Sequence, residues 1–347
     1  MSTKIPIFVV ALLKDLCYNV DISIFDGEYM DVILIVLGCA LAFVLIFSLI
    51  VFLLVFYSSS RGERVDGVYS VPKGEIYEPY HDKMREWARL SREIPHEKVS
   101  VISYDGLKLC GRYYSFFENA PIELMIHGYR GDSERDLAGG VFRAKSVGHN
   151  VLLIDQRASG ESEGHIITFG IREHRDCLTW IDYIVNKIDK DAKIILTGVS
   201  MGAATVLVTA GCELPKNVVG VLADCGYTSP EAIIKDVVRK IHLPSFIFYP
   251  FIALGARIYG GFSLKEKSPI EAMKAAKLPI IFFHGDNDAF VPHEMSVENY
   301  NACASEKKHL VITKGAGHGL CYVIDKDRYV RELKNFFNFS KETSYDQ

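Results

Sequence analysis

The longest apolar run of the chain lies near its beginning. Residues 32–57 contain no charged side chain and are almost wholly apolar. At about 1.5 Å of rise per residue, a helix of this length crosses the roughly 30 Å hydrocarbon core of a bilayer. Core helices are rarely apolar on every face for so long, and the run is too long and begins too late for a cleaved signal peptide. The pattern therefore predicts one membrane-spanning helix, preceded by a short N-terminal segment of residues 1–31.

The charges around this span predict its orientation. Only Lys4 and Lys14 are basic before it, among several acidic residues, whereas Lys and Arg are in excess after it. Basic segments stay on the cytoplasmic side of a membrane. We therefore expect a single-pass protein of the cell membrane whose large C-terminal part is cytoplasmic. The eight cysteines are scattered without metal-ligand spacing, and as free thiols they fit a reducing compartment.

After the span, residues 58–97 are predicted to form a polar tether and a juxtamembrane segment, with a helix over 80–90. Short apolar runs then alternate with helical patterns, and the first two runs flank Asp105-Gly106, a hairpin signal. The predicted strands are 99–104, 107–114, 122–126, 150–154, 193–197, 218–223, 280–283 and 309–313. The later predicted helices are 135–147, 171–187, 201–212 and one near 322–338. This alternation is typical of an α/β fold, a mostly parallel sheet covered by helices on both faces. The domain is expected over 98–340, with a tail of 341–347.

One stretch of this domain carries a recognisable chemical pattern. A short aliphatic strand over 194–197 runs into Gly198-Val199-Ser200-Met201-Gly202, and a helical pattern of small residues follows. The glycines permit a sharp turn, because side chains there would collide with neighbouring backbone. Ser200 would then stand at the apex beside a helix N-terminus, where a developing negative charge is stabilised. The stretch is therefore predicted to be a nucleophile elbow.

A serine nucleophile needs a base, and the base needs a carboxylate that orients it. Asp288 and His318 follow two later predicted strands, so that the order Ser200, Asp288, His318 matches the order that an elbow-bearing fold requires. Asp286 and Asp224 are the alternatives for the carboxylate that orients the histidine. We expect Asp286 instead to stabilise its own loop.

Other polar residues at strand ends receive less specific predictions. The amides of Tyr129 and Met201 are the predicted oxyanion hole, because loop glycines let them turn towards the serine. Three histidines, His127, His284 and His293, are expected to be structural. Asp155 is expected to order its loop with Arg157, and Cys321 is expected to lie in the core.

These segments together resemble a known superfamily. LMIHGYRGD, VLLIDQRASGESEG, ILTGVSMGAAT, IIFFHGDNDAFVP and KGAGHG are similar to the α/β-hydrolase superfamily over roughly residues 99–339. The chain looks most like bacterial serine hydrolases related to the prolyl oligopeptidase and dienelactone hydrolase branches, which often follow one membrane span. The resemblance implies Ser200 as nucleophile, Asp288 as acid and His318 as base. It implies no substrate, and nothing resembles the propeller of the larger peptidases.

The long interruption before the strand at 280 is the expected position of a lid insertion, at about 229–277. Ser229-Pro230-Glu231 is typical of a helix start. Four aromatic residues and two prolines follow in 243–254. They either pack on the core or form an apolar roof over an acyl pocket, able to touch the membrane.

We therefore expect a membrane-anchored serine hydrolase that cleaves small-molecule carboxylic esters or thioesters through an acyl-enzyme, with no cofactor and no metal. Its partners are the substrate and the lipid bilayer. The net charge of −4 argues against nucleic acid. Two alternatives remain, a peptidase or amidase of the same fold and a non-catalytic, membrane-tethered binding protein. An intact triad argues against the second alternative.

Overall fold

The computed structural model of the protein describes residues 27–59 and 67–337. Residues 1–26, which include the basic residues Lys4 and Lys14, lie outside the described residues, as do tether residues 60–66 and the tail 341–347. The chain divides into two compact units, residues 1–50 and residues 51–347. The two units are considered in turn.

The first unit contains most of a single apolar helix, α1, Gly27–Val55. Within it, Met30–Val55 is long and apolar enough to cross a membrane. Large side chains such as Ile35 and Phe43 are exposed along this helix, at 65% and 63%. An apolar helix is thus confirmed over residues 32–55 of the predicted span 32–57, whereas Phe56 and Tyr57 follow its end. Its insertion in a bilayer stays a prediction.

The second unit is built on one sheet of eight strands. The strands are β1 Glu97–Ile102, β2 Lys108–Tyr114, β3 Ile122–Ile126, β4 Asn150–Ile154, β5 Ile194–Val199, β6 Val218–Asp224, β7 Ile280–Gly285 and β8 Lys308–Thr313. They are ordered β1-β2-β4-β3-β5-β6-β7-β8. β1 and β2 form an antiparallel hairpin, β2 is antiparallel to β4, and all later pairs are parallel. The predicted fold class is confirmed.

Helices cover the sheet. They are α2 His81–Glu93, α3 Ser133–Ser146, α4 Glu173–Tyr183, α5 Met201–Ala210, α6 Pro230–Lys240, α7 Ser245–Ile258, α8 Pro269–Met273, α9 Glu294–Ala302, α10 Cys321–Ile324 and α11 Lys326–Phe336. Because both faces are covered, β3 and β4 are buried at every residue, which is why the sequence there is apolar except for the buried Glu123 and Asn150. The parallel arrangement brings the carboxyl ends of β3 to β8 to one edge of the sheet.

Three helices, α7, α8 and α9, were not predicted, and α8 is only five residues long. The other two were missed for different physical reasons. In α9 the buried residues are Ser296 and Asn299, which make polar contacts, so the helix has no apolar stripe. In α7 the proline at 250 and the dense aromatics hide the helical period. The helix start at Ser229 is confirmed, since its hydroxyl oxygen accepts a hydrogen bond from the Ala232 amide at 3.0 Å.

The last residues of the apolar run belong to the second unit and pack within it. Phe52 and Phe56 are buried among its apolar side chains, and the Ser58 amide donates to the His165 carbonyl at 2.8 Å. Helix α2 packs on α3, where the Arg92 guanidinium contacts the Glu134 carboxylate. Segment 58–97 was predicted to be a tether and juxtamembrane segment. In the structure, its described part packs against the sheet domain.

Candidate active site

Ser200 stands at the turn between β5 and α5 in a conformation that few side chains adopt. Its φ is 56° and its ψ is −117°, and it is 6% exposed. A Cβ on Gly198 would overlap the Gly202 carbonyl, and one on Gly202 would overlap the Ile126 carbonyl. Only glycine fits at either position, because the backbone itself is in the way. The residues of the predicted elbow therefore fold as a tight turn, with a strained serine at its apex.

Asp288 lies in the loop after β7 and is held by four hydrogen bonds. Its Oδ1 accepts from the amides of Phe290 and Val291, both at 2.8 Å. Its Oδ2 lies 2.7 Å from His318 Nδ1 and 3.2 Å from His284 Nε2. Burial opposes the charge, yet these partners hold the pKa of Asp288 well below its usual range. Asp288 is thus a fixed carboxylate at neutral pH.

His318 lies in the loop after β8, beside the serine turn. Because Asp288 Oδ2 is an acceptor, the proton of the ring is on Nδ1, and Nε2 has a free lone pair. A Cβ on Gly319 would lie 3.5 Å from the Val199 side chain, which places the histidine loop against the elbow. His318 and Ser200 line the same cavity.

The loop after β3 supplies the predicted oxyanion-hole residue Tyr129. A Cβ on Gly128 would lie 3.4 Å from Ser200 Cβ, so this loop approaches the serine closely. The Gly128 amide donates to Asp136 Oδ2 at 3.0 Å, which fixes the loop. The amide of Met201 is the first of α5, so no carbonyl of that helix accepts from it. The loop that carries Tyr129 is therefore close to the serine, and Met201 follows the serine directly, so the oxyanion hole of these two amides stays a prediction.

The alternative acids have other partners. Asp286 Oδ1 accepts from the Gly315 amide at 2.6 Å, and this bond joins the loops of Asp288 and His318. Asp224 Oδ2 accepts from the Tyr329 hydroxyl at 3.0 Å, and burial raises the pKa of Asp224 to about 6. Neither bond involves His318. Of the three carboxylates, Asp288 is the one that makes a hydrogen bond to His318.

Most of the residues that were expected to be structural are buried or hydrogen-bonded to the backbone. One expectation, about Arg157, is wrong. His127 and His284 are buried and bonded to the backbone, and Cys321 lies in the core. Asp155 orders its loop by accepting from the Ser133 and Glu161 amides. The expected pairing of Asp155 with Arg157 is wrong.

Arg157 forms ion pairs with two other carboxylates. Its guanidinium contacts Asp176 and Asp105 at 2.6 and 2.9 Å. Both residues are distant in sequence, so no local pattern could indicate them.

Ser200, His318 and Tyr129 all line a cavity of about 760 Å³. Within the part of the chain that the structure describes, no residue of 229–277 lines it. The lid insertion was a candidate for a wall of the substrate cavity. Residues 70–77, before α2, form a wall of this cavity instead. A Cβ on Gly317 would overlap the Ile76 side chain, so Ile76 lies directly against the His318 loop. The signal in the sequence was the apolar content of a segment that was predicted to be juxtamembrane.

Cys225 is a further residue that the sequence did not single out. Its sulfur lies within 4.8 Å of ligand atoms of Asp288 and His318. Burial raises the pKa of the Cys225 thiol well above its usual range, so it stays protonated and is a poor rival nucleophile.

Comparisons with known proteins agree with the fold. Residues 124–257 match the family model described as alpha/beta hydrolase fold. The uncharacterized protein YqkD of Bacillus subtilis is 26% identical over 193 residues, 55% of this chain and 63% of that protein. The thiohydrolase aneE of Aspergillus aculeatus is 32% identical over 161 residues, 44% of this chain and 49% of that protein. The chain thus spans less than two thirds of the length of these relatives.

A solved structure extends the likeness to most of the chain. The Pyrococcus furiosus esterase Pf2001 superposes with a TM-score of 0.60 at 19% identity, covering 81% of this chain and 98% of that one. At this identity the similarity shows the shared fold.

Proposed function

We propose that this chain is a member of the α/β-hydrolase superfamily, which its fold and the family match over residues 124–257 support, and that it is a membrane-anchored serine hydrolase that cleaves carboxylic esters or thioesters. One observation carries the proposal. His318 is hydrogen-bonded to a buried, ionised Asp288 and lines one cavity with Ser200, which stands in a strained turn. This arrangement of base, acid and serine is the one that activates a hydroxyl as a nucleophile.

In the proposed reaction, Ser200 Oγ attacks the acyl carbonyl carbon. His318 Nε2 takes the hydroxyl proton as the new C–O bond forms. Asp288 holds the imidazole in the tautomer that leaves Nε2 free and stabilises the imidazolium. The imidazolium then gives its proton to the leaving alcohol or thiol as the bond from the carbonyl carbon breaks. The acyl group remains on Ser200.

The amides of Tyr129 and Met201 donate to the oxyanion of each tetrahedral intermediate. Such donors act strongly because they are fixed before the reaction and little water competes with them. In the second half of the reaction, His318 takes a proton from water, which attacks the acyl-enzyme. The C–O bond to Ser200 breaks, and the serine recovers its proton from the histidine.

The relatives support acyl transfer from oxygen or sulfur. The names of two of them, a thiohydrolase and an esterase, describe those proteins. For this chain the ester or thioester specificity is our proposal. A peptidase of the same fold would need to protonate a poorer leaving group, an amine, so the leaving group distinguishes the two activities.

Membrane anchoring is proposed from the apolar helix and from the surface next to its end. Phe52 packs on Tyr259, with ring centroids 6.0 Å apart, at the end of α7. The segment from the end of α6 to the end of α7 also exposes large apolar side chains, namely Ile241, Leu243, Phe246, Ile247 and Ile258. The most exposed of these side chains is Phe246, at 79%. A water-facing surface rarely carries such a group, whereas lipid would cover it. The proposal predicts that the protein stays in the membrane pellet at alkaline pH in carbonate; release into the supernatant would exclude a spanning anchor.

The activity is tested with the purified full-length chain in detergent micelles. A p-nitrophenyl ester, an acyl thioester and a p-nitroanilide with the same acyl group are compared. We expect turnover of the first two, little of the anilide, and loss of all activity in Ser200→Ala. Ser263→Ala, away from the cavity, is the matched control. Efficient anilide cleavage would instead indicate a peptidase or amidase, and turnover that survives Ser200→Ala would exclude this serine as nucleophile.

A further inference from the structure

The cavity that begins beside Ser200 continues to a buried inner end. Its mouth includes Lys73 and Arg130, which are exposed, whereas its inner residues Met125, Leu222 and Asp224 are at most 3% exposed. The inner part lies between the sheet and α3. Its size is within the range of small-molecule sites. A bound acyl group with its carbonyl at Ser200 would therefore extend its tail away from solvent.

The inner end of the cavity is polar, although its side walls are largely apolar. Arg143, Asp224, Tyr322 and Tyr329 all line it. Two atoms there have no hydrogen-bond partner, Asp224 Oδ1 and Tyr322 Oη, and both residues are more than nine-tenths buried. The other carboxylate oxygen of Asp224 accepts from the Tyr329 hydroxyl. The Asp224 carboxylate also interacts with the Cys321 thiol. Buried polar atoms are normally paired, so a ligand group that reached these two atoms would satisfy them.

The charge at the inner end favours a neutral ligand group. The Arg143 guanidinium is already satisfied by a bidentate pair with the buried Glu123 carboxylate. A cationic tail would lie near this guanidinium, and an anionic tail would meet Asp224. A hydroxyl avoids both conflicts and can donate one hydrogen bond while it accepts another.

We propose that the cavity binds a hydroxyacyl group, whose tail hydroxyl donates to Asp224 Oδ1 and accepts from Tyr322 Oη. An unsubstituted alkyl tail of the same length would leave both protein atoms unpaired. A site built to pair with a hydroxyl discriminates strongly against the analogue that lacks it. This inference rests on the proposed function, since the carbonyl end must lie at Ser200.

The first test compares p-nitrophenyl esters of four to twelve carbons with their ω-hydroxy counterparts. We expect kcat/KM to favour the hydroxy ester by about tenfold or more at one chain length. Tyr322→Phe should reduce that ratio severalfold, because it removes one hydroxyl and keeps the ring. Tyr227→Phe is the matched control, since Tyr227 Oη is also buried and unpartnered but does not line the cavity. A ratio near one at every length, the result for a site that holds only water, overturns the proposal, as does an equal ratio in Tyr322→Phe.

A binding test separates this inference from the proposed function. Alkanamides and ω-hydroxyalkanamides of the same lengths enter the cavity without ready hydrolysis, and the shift in melting temperature reports their binding. A larger shift with the hydroxy compounds that Tyr322→Phe abolishes and Tyr227→Phe retains supports the site, even if no ester is hydrolysed. Ester hydrolysis with equal shifts for both series would overturn the hydroxyacyl site and leave the hydrolase intact.

Discussion

His318 Nδ1 lies 2.7 Å from Asp288 Oδ2, whereas the nearby Asp286 carboxylate is bonded to the Gly315 amide. This difference predicts unequal effects of two similar substitutions. Asp288→Asn should lower kcat by on the order of 10³-fold or more, because the amide cannot hold the same tautomer or stabilise the imidazolium. Asp286→Asn should keep much of the activity. Steady-state hydrolysis of an ester by both purified variants is the measurement, and the reverse ranking would move the acid to Asp286.

The elbow glycines should be indispensable. An added Cβ at Gly202 would overlap the Ile126 carbonyl, which cannot move without disturbing β3. Gly202→Ala is expected to destabilise the protein by about 3 kcal/mol or more and to abolish ester hydrolysis. Gly38→Ala is the control, because an added Cβ there meets no atom within 4 Å. Thermal unfolding of both variants is the check, and wild-type stability in Gly202→Ala would contradict the tight turn.

Asp224 should make stability depend on pH. Burial raises the pKa of Asp224 to about 6 in the folded protein, against about 3.9 in an unfolded chain. Its contribution is therefore present below pH 4 and is lost as the pH rises through 6. From pH 4.5 to 7.5, the free energy of unfolding of the wild type should fall by about 2 kcal/mol relative to Asp224→Asn.

Denaturant unfolding at the two pH values measures this difference. Asp288→Asn is the control, because a carboxyl whose pKa lies below its usual range contributes almost equally at both values. An equal pH dependence in wild type and Asp224→Asn would show that Asp224 is already ionised in the folded protein at low pH.

The orientation of the span is tested by labelling single cysteines in intact cells after the native cysteines are replaced. A cysteine at Ser59 should resist an impermeant maleimide, and one at Ser23 should react, because the basic residues follow the span. Permeabilised cells provide the positive control for Ser59. The opposite labelling would place the sheet domain outside the cell.

Local patterns in the sequence were sufficient for the sheet and for the serine turn. The strands at Ile122–Ile126 and Asn150–Ile154 have the predicted limits, since each is a run of apolar residues bounded by turns. Gly198 and Gly202 could be recognised because backbone packing leaves room for no other residue. These features depend on neighbours in the chain or on one tight contact.

Contacts between distant segments could not be predicted in the same way. The pairing of Arg157 with Asp176 depends on how a strand end meets a helix. Similarly, the cavity wall at Ile76 follows from the packing of the segment before α2 on the histidine loop. The aromatics of 243–254 were expected either to pack on the core or to roof an acyl pocket, and none of them lines the cavity. Tyr249 is buried in the core, Phe248 packs against it, and Phe246 is exposed. The number of aromatic residues in this segment could not distinguish core packing from a pocket roof.

Covalent labelling decides whether Ser200 is the nucleophile. The full-length protein is treated with a fluorophosphonate, digested and analysed by mass spectrometry. We expect one phosphonyl adduct, on Ser200, that is absent from Ser200→Ala and strongly reduced in Asp288→Asn. An adduct on another residue, or ester hydrolysis by a protein that the probe does not label, would exclude Ser200 as the nucleophile.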